Sequence, residues 1–113
     1  MMWQLTIKDG GAIQISNGNT GGDWSIGSFG VDMPVDIWTH LAVTYDGTNA
    51  TLYINGQNPV SVSYVMGLGT EAVLSLGAAY QNDSAGTFFL GTVDDLRFYD
   101  RPLSAAEVVE LAN

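Results

Sequence analysis

Two adjacent carboxylates, Asp94 and Asp95, are the residues whose type and position most directly suggest chemistry. They interrupt an apolar stretch, residues 88–99, whose composition otherwise predicts a strand. Val93 is out of phase with the apolar residues after the pair, so a strand that buries all of them must slip by one residue there, as at a β-bulge. Carboxylates at such a point are costly unless they are solvated, hydrogen-bonded or bound to a cation. The sequence predicts the bulge and leaves these three environments open.

A polar loop is predicted over residues 80–86, and it carries Asn82 and Asp83. These side chains could bind a cation or a hydroxyl group, but Asn and Asp in a Gly-bounded loop are also ordinary turn formers. Tyr80, and Trp24 after a Gly-rich loop, are the aromatic residues beside polar loops. Such a ring could stack on a sugar while amides bind its hydroxyls, or it could cover the core. We therefore take Trp24, Tyr80 and Asn82 as candidate ligand-binding residues.

Composition narrows the function classes. The chain has 113 residues, with 12 acidic against 3 basic side chains and a formal net charge of -9. A nucleic-acid partner is disfavoured because phosphate binding needs concentrated Lys and Arg; the acidic surface suits a cation partner or simple solubility. The absence of cysteine excludes disulfides, thiolate metal sites and a Cys nucleophile. No apolar run approaches the roughly 18 residues of a membrane span, so membrane insertion is not expected.

Alternating apolar and polar residues predict a series of short strands joined by turns. The pattern is clearest at residues 39–45, where Leu41, Val43 and Tyr45 share one face. Asn55-Gly56 is the dipeptide typical of a type I′ hairpin turn. The predicted strands cover residues 3–7, 12–16, 24–29, 39–45, 50–54, 60–64, 72–77 and 88–99.

A short helix is predicted at the C-terminal end. Ser104 is a suitable N-cap, and Glu107 three residues later completes a capping box. Leu103 and Val108 have the spacing of a hydrophobic staple, so the helix should pack one apolar stripe across an open end of the sheets.

Several blocks of sequence occur in an order that resembles the laminin G-like domains of the concanavalin A-like lectin/glucanase superfamily. They are Trp-x-His-Leu-Ala-Val-Thr-Tyr-Asp-Gly at 38–47, Leu-Tyr-Ile-Asn-Gly at 52–56, Leu-Gly at 76–77, and residues 91–104 with Glu107. The resemblance covers the chain from about Ile13 onward. It implies an all-β, antiparallel two-sheet jelly-roll sandwich with a short C-terminal helix, forming a single domain over residues 1–113.

The resemblance also raises an expectation about missing strands. Family members usually carry several strands ahead of the point where this sequence begins. We therefore expect a domain that lacks the usual N-terminal strands, as part of a larger multidomain chain or as a homo-oligomer. Open sheet edges are templates for pairing with another strand.

For the sites, the resemblance implies a structural calcium held by Asp94 and backbone carbonyls, which is suitable oxygen chemistry. Asp83 resembles in position an acid of the calcium loop in the pentraxin branch, so Asp94 and Asp83 are the metal candidates. His40 is expected to be a structural strand residue. A further set of aromatic residues is expected in the core because it occupies family-typical strand positions: Trp38, Tyr45, Tyr53, Phe98 and Tyr99.

The acidic block of the superfamily's glucanases, Glu-x-Asp-x-(x)-Glu, is absent from the sequence, so no enzyme activity is expected. The resemblance implies a non-catalytic, extracellular module that binds a glycan or a cell-surface protein, with calcium as a possible cofactor. The alternative is a structural or oligomerisation module whose open sheet edges pair with another chain.

Overall fold

The computed structural model describes residues 2–8, 10–18, 24–63, 76–81 and 84–113. Within them, eight strands and one helix follow in chain order. The elements are β1 (Met2–Ile7), β2 (Ala12–Gly18), β3 (Trp24–Asp32), β4 (Leu41–Tyr45), β5 (Asn49–Ile54), β6 (Gln57–Ser63), β7 (Ala78–Gln81), β8 (Ser84–Phe88) and α1 (Ala105–Ala112). Strands β1-β2-β3 form one antiparallel sheet, β4-β5-β6 a second, and β7-β8 a separate hairpin.

The core lies between the two three-stranded sheets. Ile13 and Ile15 of β2 are fully buried, as their alternation predicts, and Phe29 of β3 lies beside them. Ala50 and Leu52 of β5 belong to the same cluster, so side chains from both sheets interdigitate. This arrangement confirms the predicted all-β sandwich with a C-terminal helix.

The second sheet follows the sequence pattern closely. Leu41, Val43 and Tyr45 of β4 pack against the core, as predicted. The turn between β5 and β6 has positive φ at both Asn55 (54°) and Gly56 (73°), which confirms the type I′ prediction. In β6, the partner of Leu52 is Val60 while the partner of Ile54 is Gln57, so one extra residue bulges there.

Helix α1 begins as predicted. The Ser104 hydroxyl accepts from the Glu107 backbone N–H at 3.2 Å, and the Glu107 carboxylate accepts from the Ser104 N–H at 3.0 Å. Val108 is fully buried. The helix lies against the β5–β6 turn, since a Cβ added to Gly56 would meet Val109 Cα and Ala112 Cβ at 3.1 Å.

The prediction of a strand over residues 88–99 is wrong. Strand β8 ends at Phe88, and residues 89–103 form neither strand nor helix. The predicted loop over residues 80–86 is also wrong in extent, because residues 80–81 and 84–86 belong to the β7–β8 hairpin. Of the predicted strand at residues 72–77, residues 72–75 lie outside the described residues, as does Tyr64, and residues 76–77 form no strand.

The prediction of a uniformly buried aromatic set needs correction as well. Tyr53 is buried and Tyr45 is half-buried. Trp38, Phe98 and Tyr99 are instead exposed, because they lie outside the strands, where no facing sheet covers them.

Candidate functional site

Residues 88–99, here named the 88–99 segment, form the most apolar exposed stretch of the described chain. Leu90 is 95% exposed and Phe98 is 60% exposed. The other large apolar side chains exposed in this segment are Phe88, Phe89, Val93, Leu96 and Tyr99. A contiguous patch of exposed apolar side chains is a mark of an interaction surface.

The backbone of this segment is available for pairing. The Phe89 N–H donates to the Gly77 carbonyl at 2.7 Å, extending the β7–β8 hairpin by one bond. Among the described residues, the backbone from Leu90 to Leu103 makes no further hydrogen bond to another backbone group. Backbone N–H and C=O groups are obligatory hydrogen-bonding groups, so the groups here without a described backbone partner can pair with water or with another strand.

The acidic pair lies in the middle of the segment and is locally engaged. The predicted β-bulge is wrong, because no strand is present at this position; the backbone of Asp95 is instead left-handed, with φ 56°. The Asp95 N–H donates to Asp94 Oδ1 at 2.8 Å. The Asp95 carboxylate accepts from Arg97 Nε at 2.9 Å and from Arg97 Nη2 at 3.1 Å. These hydrogen bonds to Asp95, and then one with Tyr99, raise the pKa of Arg97.

Asp94 is the metal candidate that the structure describes. It is exposed, and its Oδ1 is occupied by the neighbouring amide. No three His, Asp or Glu side chains come together as a metal-binding group among the described residues. Asp83, the second candidate, lies outside them. The calcium site therefore stays a prediction that rests on Asp94 with oxygen ligands yet to be assigned.

The candidate ligand-binding residues fall on different sheets. Trp24 is the first residue of β3 and pairs with Gly18 of β2. Tyr80 lies within β7, opposite Ala85 of β8, and not in a loop. The side chains of both residues, and Asn82 entirely, lie outside the described part of the structure. Their role in ligand binding stays a prediction.

A second exposed apolar stretch was not selected from the sequence. Val35, Ile37 and Trp38, in the connection before β4, are 79%, 66% and 69% exposed. Positive φ at Asp36, 58°, shapes this connection. The sequence feature that could have indicated their exposure is their position between Pro34 and β4, in a connection that belongs to no described strand.

His40 lies where β4 meets the β5–β6 turn. Its N–H donates to Asn55 Oδ1 at 2.9 Å, and its carbonyl accepts from the Asn55 N–H at 2.8 Å. The Nδ1 atom is buried and has no hydrogen-bond partner among the described residues. Both bonds are made by the backbone of His40, so the structural role expected of its side chain stays a prediction.

No helix among the described residues is long and apolar enough to cross a membrane. Among curated proteins, none matches this chain. It is similar to a crystallised segment of an S-layer domain-containing protein from Clostridium thermocellum ATCC 27405, with 30% sequence identity and a TM-score of 0.63. The likeness covers 98% of this chain and 56% of the other, so the chain spans little more than half of that crystallised length.

A laminin G model of the concanavalin A-like lectin/glucanases superfamily matches residues 2–109. The two antiparallel sheets packed on one core are the architecture that this match requires. The chain therefore belongs to the concanavalin A-like lectin/glucanases superfamily, as a laminin G-like domain.

Proposed function

We propose that this chain is a non-catalytic recognition module of a cell-surface or extracellular protein, and that it binds another polypeptide through the 88–99 segment. The observation that carries the proposal is the coincidence, in one stretch, of exposed apolar side chains with backbone groups that have no backbone partner among the described residues. An added strand satisfies both, because it supplies main-chain hydrogen bonds and covers alternate side chains.

The similarity to an S-layer domain-containing protein supports the cell-surface setting. The family match supports a recognition role, since the superfamily includes lectins. Residues Leu96 and Phe98 are the central apolar contacts of the proposed surface.

The test is a selection of random peptides displayed on phage against the purified chain. Peptides should be enriched by the wild type and lose binding to the Leu96→Asp/Phe98→Asp variant, because charge is then placed in the apolar contact. Val35→Asp/Ile37→Asp is the matched control, since it adds the same two charges at other exposed apolar positions. Peptides that bind all three proteins alike, or no enriched peptide at all, would contradict the proposal.

Carbohydrate binding is the second candidate function. The superfamily contains lectins, and Trp24 opens β3 at one end of the first sheet, where an aromatic ring can receive a sugar. Calorimetric titration with a panel of oligosaccharides should then show binding that Trp24→Ala or Tyr80→Ala abolishes while the unfolding curve is retained. Absence of heat for every sugar, with and without calcium, would exclude this function under those conditions.

Calcium assistance is tested separately with the metal alone. If Asp94 supplies a ligand oxygen, Asp94→Asn should weaken calcium binding measured by calorimetry, because a charged ligand is replaced by a neutral one. Asp36→Asn is the matched control, because it removes one exposed carboxylate elsewhere. An Asp83→Asn variant tests the second predicted ligand. Equal calcium titrations for all four proteins would contradict the predicted site.

A further inference from the structure

The charged residues around Leu96 in the 88–99 segment would pair with opposite charges if a second copy of the segment ran beside it in the antiparallel direction. Leu96 lies at the centre, with Asp95 immediately before it and Arg97 immediately after it. Val93 and Tyr99 lie three residues to either side. In an antiparallel pair of two identical strands centred on Leu96, Asp95 of each copy is therefore opposite Arg97 of the other, and Val93 is opposite Tyr99.

We propose that two copies of this chain associate through residues 93–99 of their 88–99 segments as antiparallel strands, with the two-fold axis at Leu96. This inference rests on the proposed polypeptide recognition and names its partner as a second copy. A two-fold axis makes the contact isologous, so each favourable pair away from the axis occurs twice.

Electrostatics favour this register over the two registers with the axis at Asp95 or at Arg97, in which that charged side chain would face its own copy. Within one copy, Arg97 now binds the Asp95 carboxylate through two hydrogen bonds of 2.9 and 3.1 Å. In the dimer Asp95 and Arg97 exchange partners, so each of these two side chains keeps an opposite charge, while Asp94 lies opposite Phe98. Opposite charges directly across a strand pair stabilise it, whereas like charges destabilise it.

The net charge of -9 on each copy opposes association over longer distances. That repulsion is screened by salt, since the Debye length falls from about 30 Å at 0.01 M to about 8 Å at 0.15 M ionic strength. The dimer is therefore expected to tighten as salt rises over this range, although its short-range ion pairs are themselves weakened.

The backbone must straighten for this pairing. Asp95, at φ 56°, leaves the left-handed region and adopts the extended conformation, and its N–H releases Asp94 Oδ1. An L-residue other than glycine is less favourable in the left-handed region, so this change removes strain. The apolar side chains Leu96 of both copies then meet at the axis.

The first test uses cysteine cross-linking, which the cysteine-free sequence makes specific. Opposite Cα atoms in an antiparallel pair are about 4.5–5.5 Å apart, within disulfide range. Leu96→Cys should give a cross-linked dimer under mild oxidation, because this residue faces its own copy. Leu90→Cys is the matched control: it is more exposed, yet it lies outside the paired residues and should cross-link much more slowly.

The second test reverses charges and measures the dimer dissociation constant by sedimentation. Asp95→Arg and Arg97→Asp should each weaken the dimer by at least about tenfold, because like charges then face each other. The double variant should restore it. A wild-type monomer at all concentrations overturns the inference while leaving peptide recognition standing. A dimer that neither depends on these charges nor cross-links preferentially at residue 96 also overturns it.

Discussion

Asn55 has two structural roles, one through its backbone and one through its side chain. Its backbone, at φ 54°, opens the type I′ turn, and its Oδ1 accepts from the His40 N–H at 2.9 Å. Its own N–H donates to the His40 carbonyl at 2.8 Å, so the residue continues the β4–β5 ladder beyond Ile54. The dipeptide Asn-Gly predicts the turn, but only the folded chain reveals the contact with His40.

Substitution at Asn55 separates these two roles. Asn55→Gly keeps the left-handed backbone accessible and loses one hydrogen bond, for about 1 kcal/mol of unfolding free energy. Asn55→Ala loses the same bond and adds a left-handed alanine, for about 2 to 3 kcal/mol in total. Urea unfolding measures both variants. An alanine variant as stable as the glycine variant would contradict the assigned backbone role.

Glu107 is the residue with the largest described pKa change. Two hydrogen bonds from the Arg101 guanidinium, followed by one from the Ser104 N–H, lower the pKa of Glu107 from its ordinary value of 4.5 to about 2. Because the folded-state pKa is depressed, its stabilising contribution is complete above about pH 4.5. That contribution is lost as the pH falls towards 2.

The pH dependence of Glu107→Gln tests this. The variant should be less stable than the wild type at pH 6, and the difference should shrink steadily between pH 5 and pH 2, since the protonated wild-type side chain resembles the amide. Denaturant unfolding across this range measures the effect. Glu110→Gln is the control, because no ion pair involves Glu110 among the described residues. A difference that stays constant with pH would disprove the linkage.

At the scale of elements, the contact between helix α1 and the β5–β6 turn depends on a glycine. Gly56 has φ 73° and is buried, and a Cβ there would lie 3.1 Å from Val109 Cα and from Ala112 Cβ. The turn type alone would permit Asn at this position. The helix therefore adds a steric reason for glycine that local sequence does not contain.

Gly56→Ala should destabilise the domain by about 2 to 4 kcal/mol, because it combines left-handed strain with overpacking against α1. Gly47→Ala is the matched control: Gly47 has φ 97°, but nothing lies within 4 Å of the added Cβ. It should therefore show the strain alone. Thermal or urea unfolding followed by circular dichroism compares the two. Equal losses would show that the helix contact is unimportant.

The 88–99 segment shows the limit of strand prediction from sequence. Its apolar residues and an irregularity at Asp95 were both recognised from the sequence, but the irregularity is a left-handed residue at φ 56° and not the predicted β-bulge. A strand, however, is defined by hydrogen bonds to a neighbour, and beyond Phe89 no described strand is hydrogen-bonded to this segment. The apolar side chains of this segment, which predict a buried strand, are therefore exposed.

At the scale of the whole molecule, stability depends on a small cluster shared by the two sheets. Ile13 and Ile15 of β2 and Leu52 of β5 have almost no exposed surface. Strands β3 and β6 contact each other but are not hydrogen-bonded into a single sheet. The packing of these buried side chains therefore holds the two sheets together. Few other described side chains are fully buried.

Ile15→Ala should cost about 2 to 5 kcal/mol, since a buried aliphatic side chain is lost and a cavity remains. That is a large part of the roughly 5 to 15 kcal/mol typical of a domain. Leu90→Ala, at a side chain that is 95% exposed, should change stability by less than about 0.5 kcal/mol. Urea unfolding compares the two. Similar losses in both variants would show that the shared cluster is not the main core.

For the candidate site residues too, the sequence indicates which residues are unusual, and the folded structure decides what surrounds them. Asp94 was identifiable because a carboxylate in an apolar stretch is conspicuous, but the sequence does not say which oxygens face it. Trp38 was expected to be buried because its family position is typical of a strand, and it is exposed because the chain around it forms no strand. Burial depends on what lies opposite a residue, which is a property of the assembled fold.

The sequence by itself determined the local structure of this domain: the alternation of β2 and β4, the Asn55-Gly56 turn and the Ser104–Glu107 capping box. Each depends on interactions between residues close in the chain. Only the tertiary structure decided that α1 rests on Gly56, that one cluster joins the two sheets, and that the 88–99 segment is left exposed. Those outcomes depend on partners distant in sequence, whose positions no local pattern specifies.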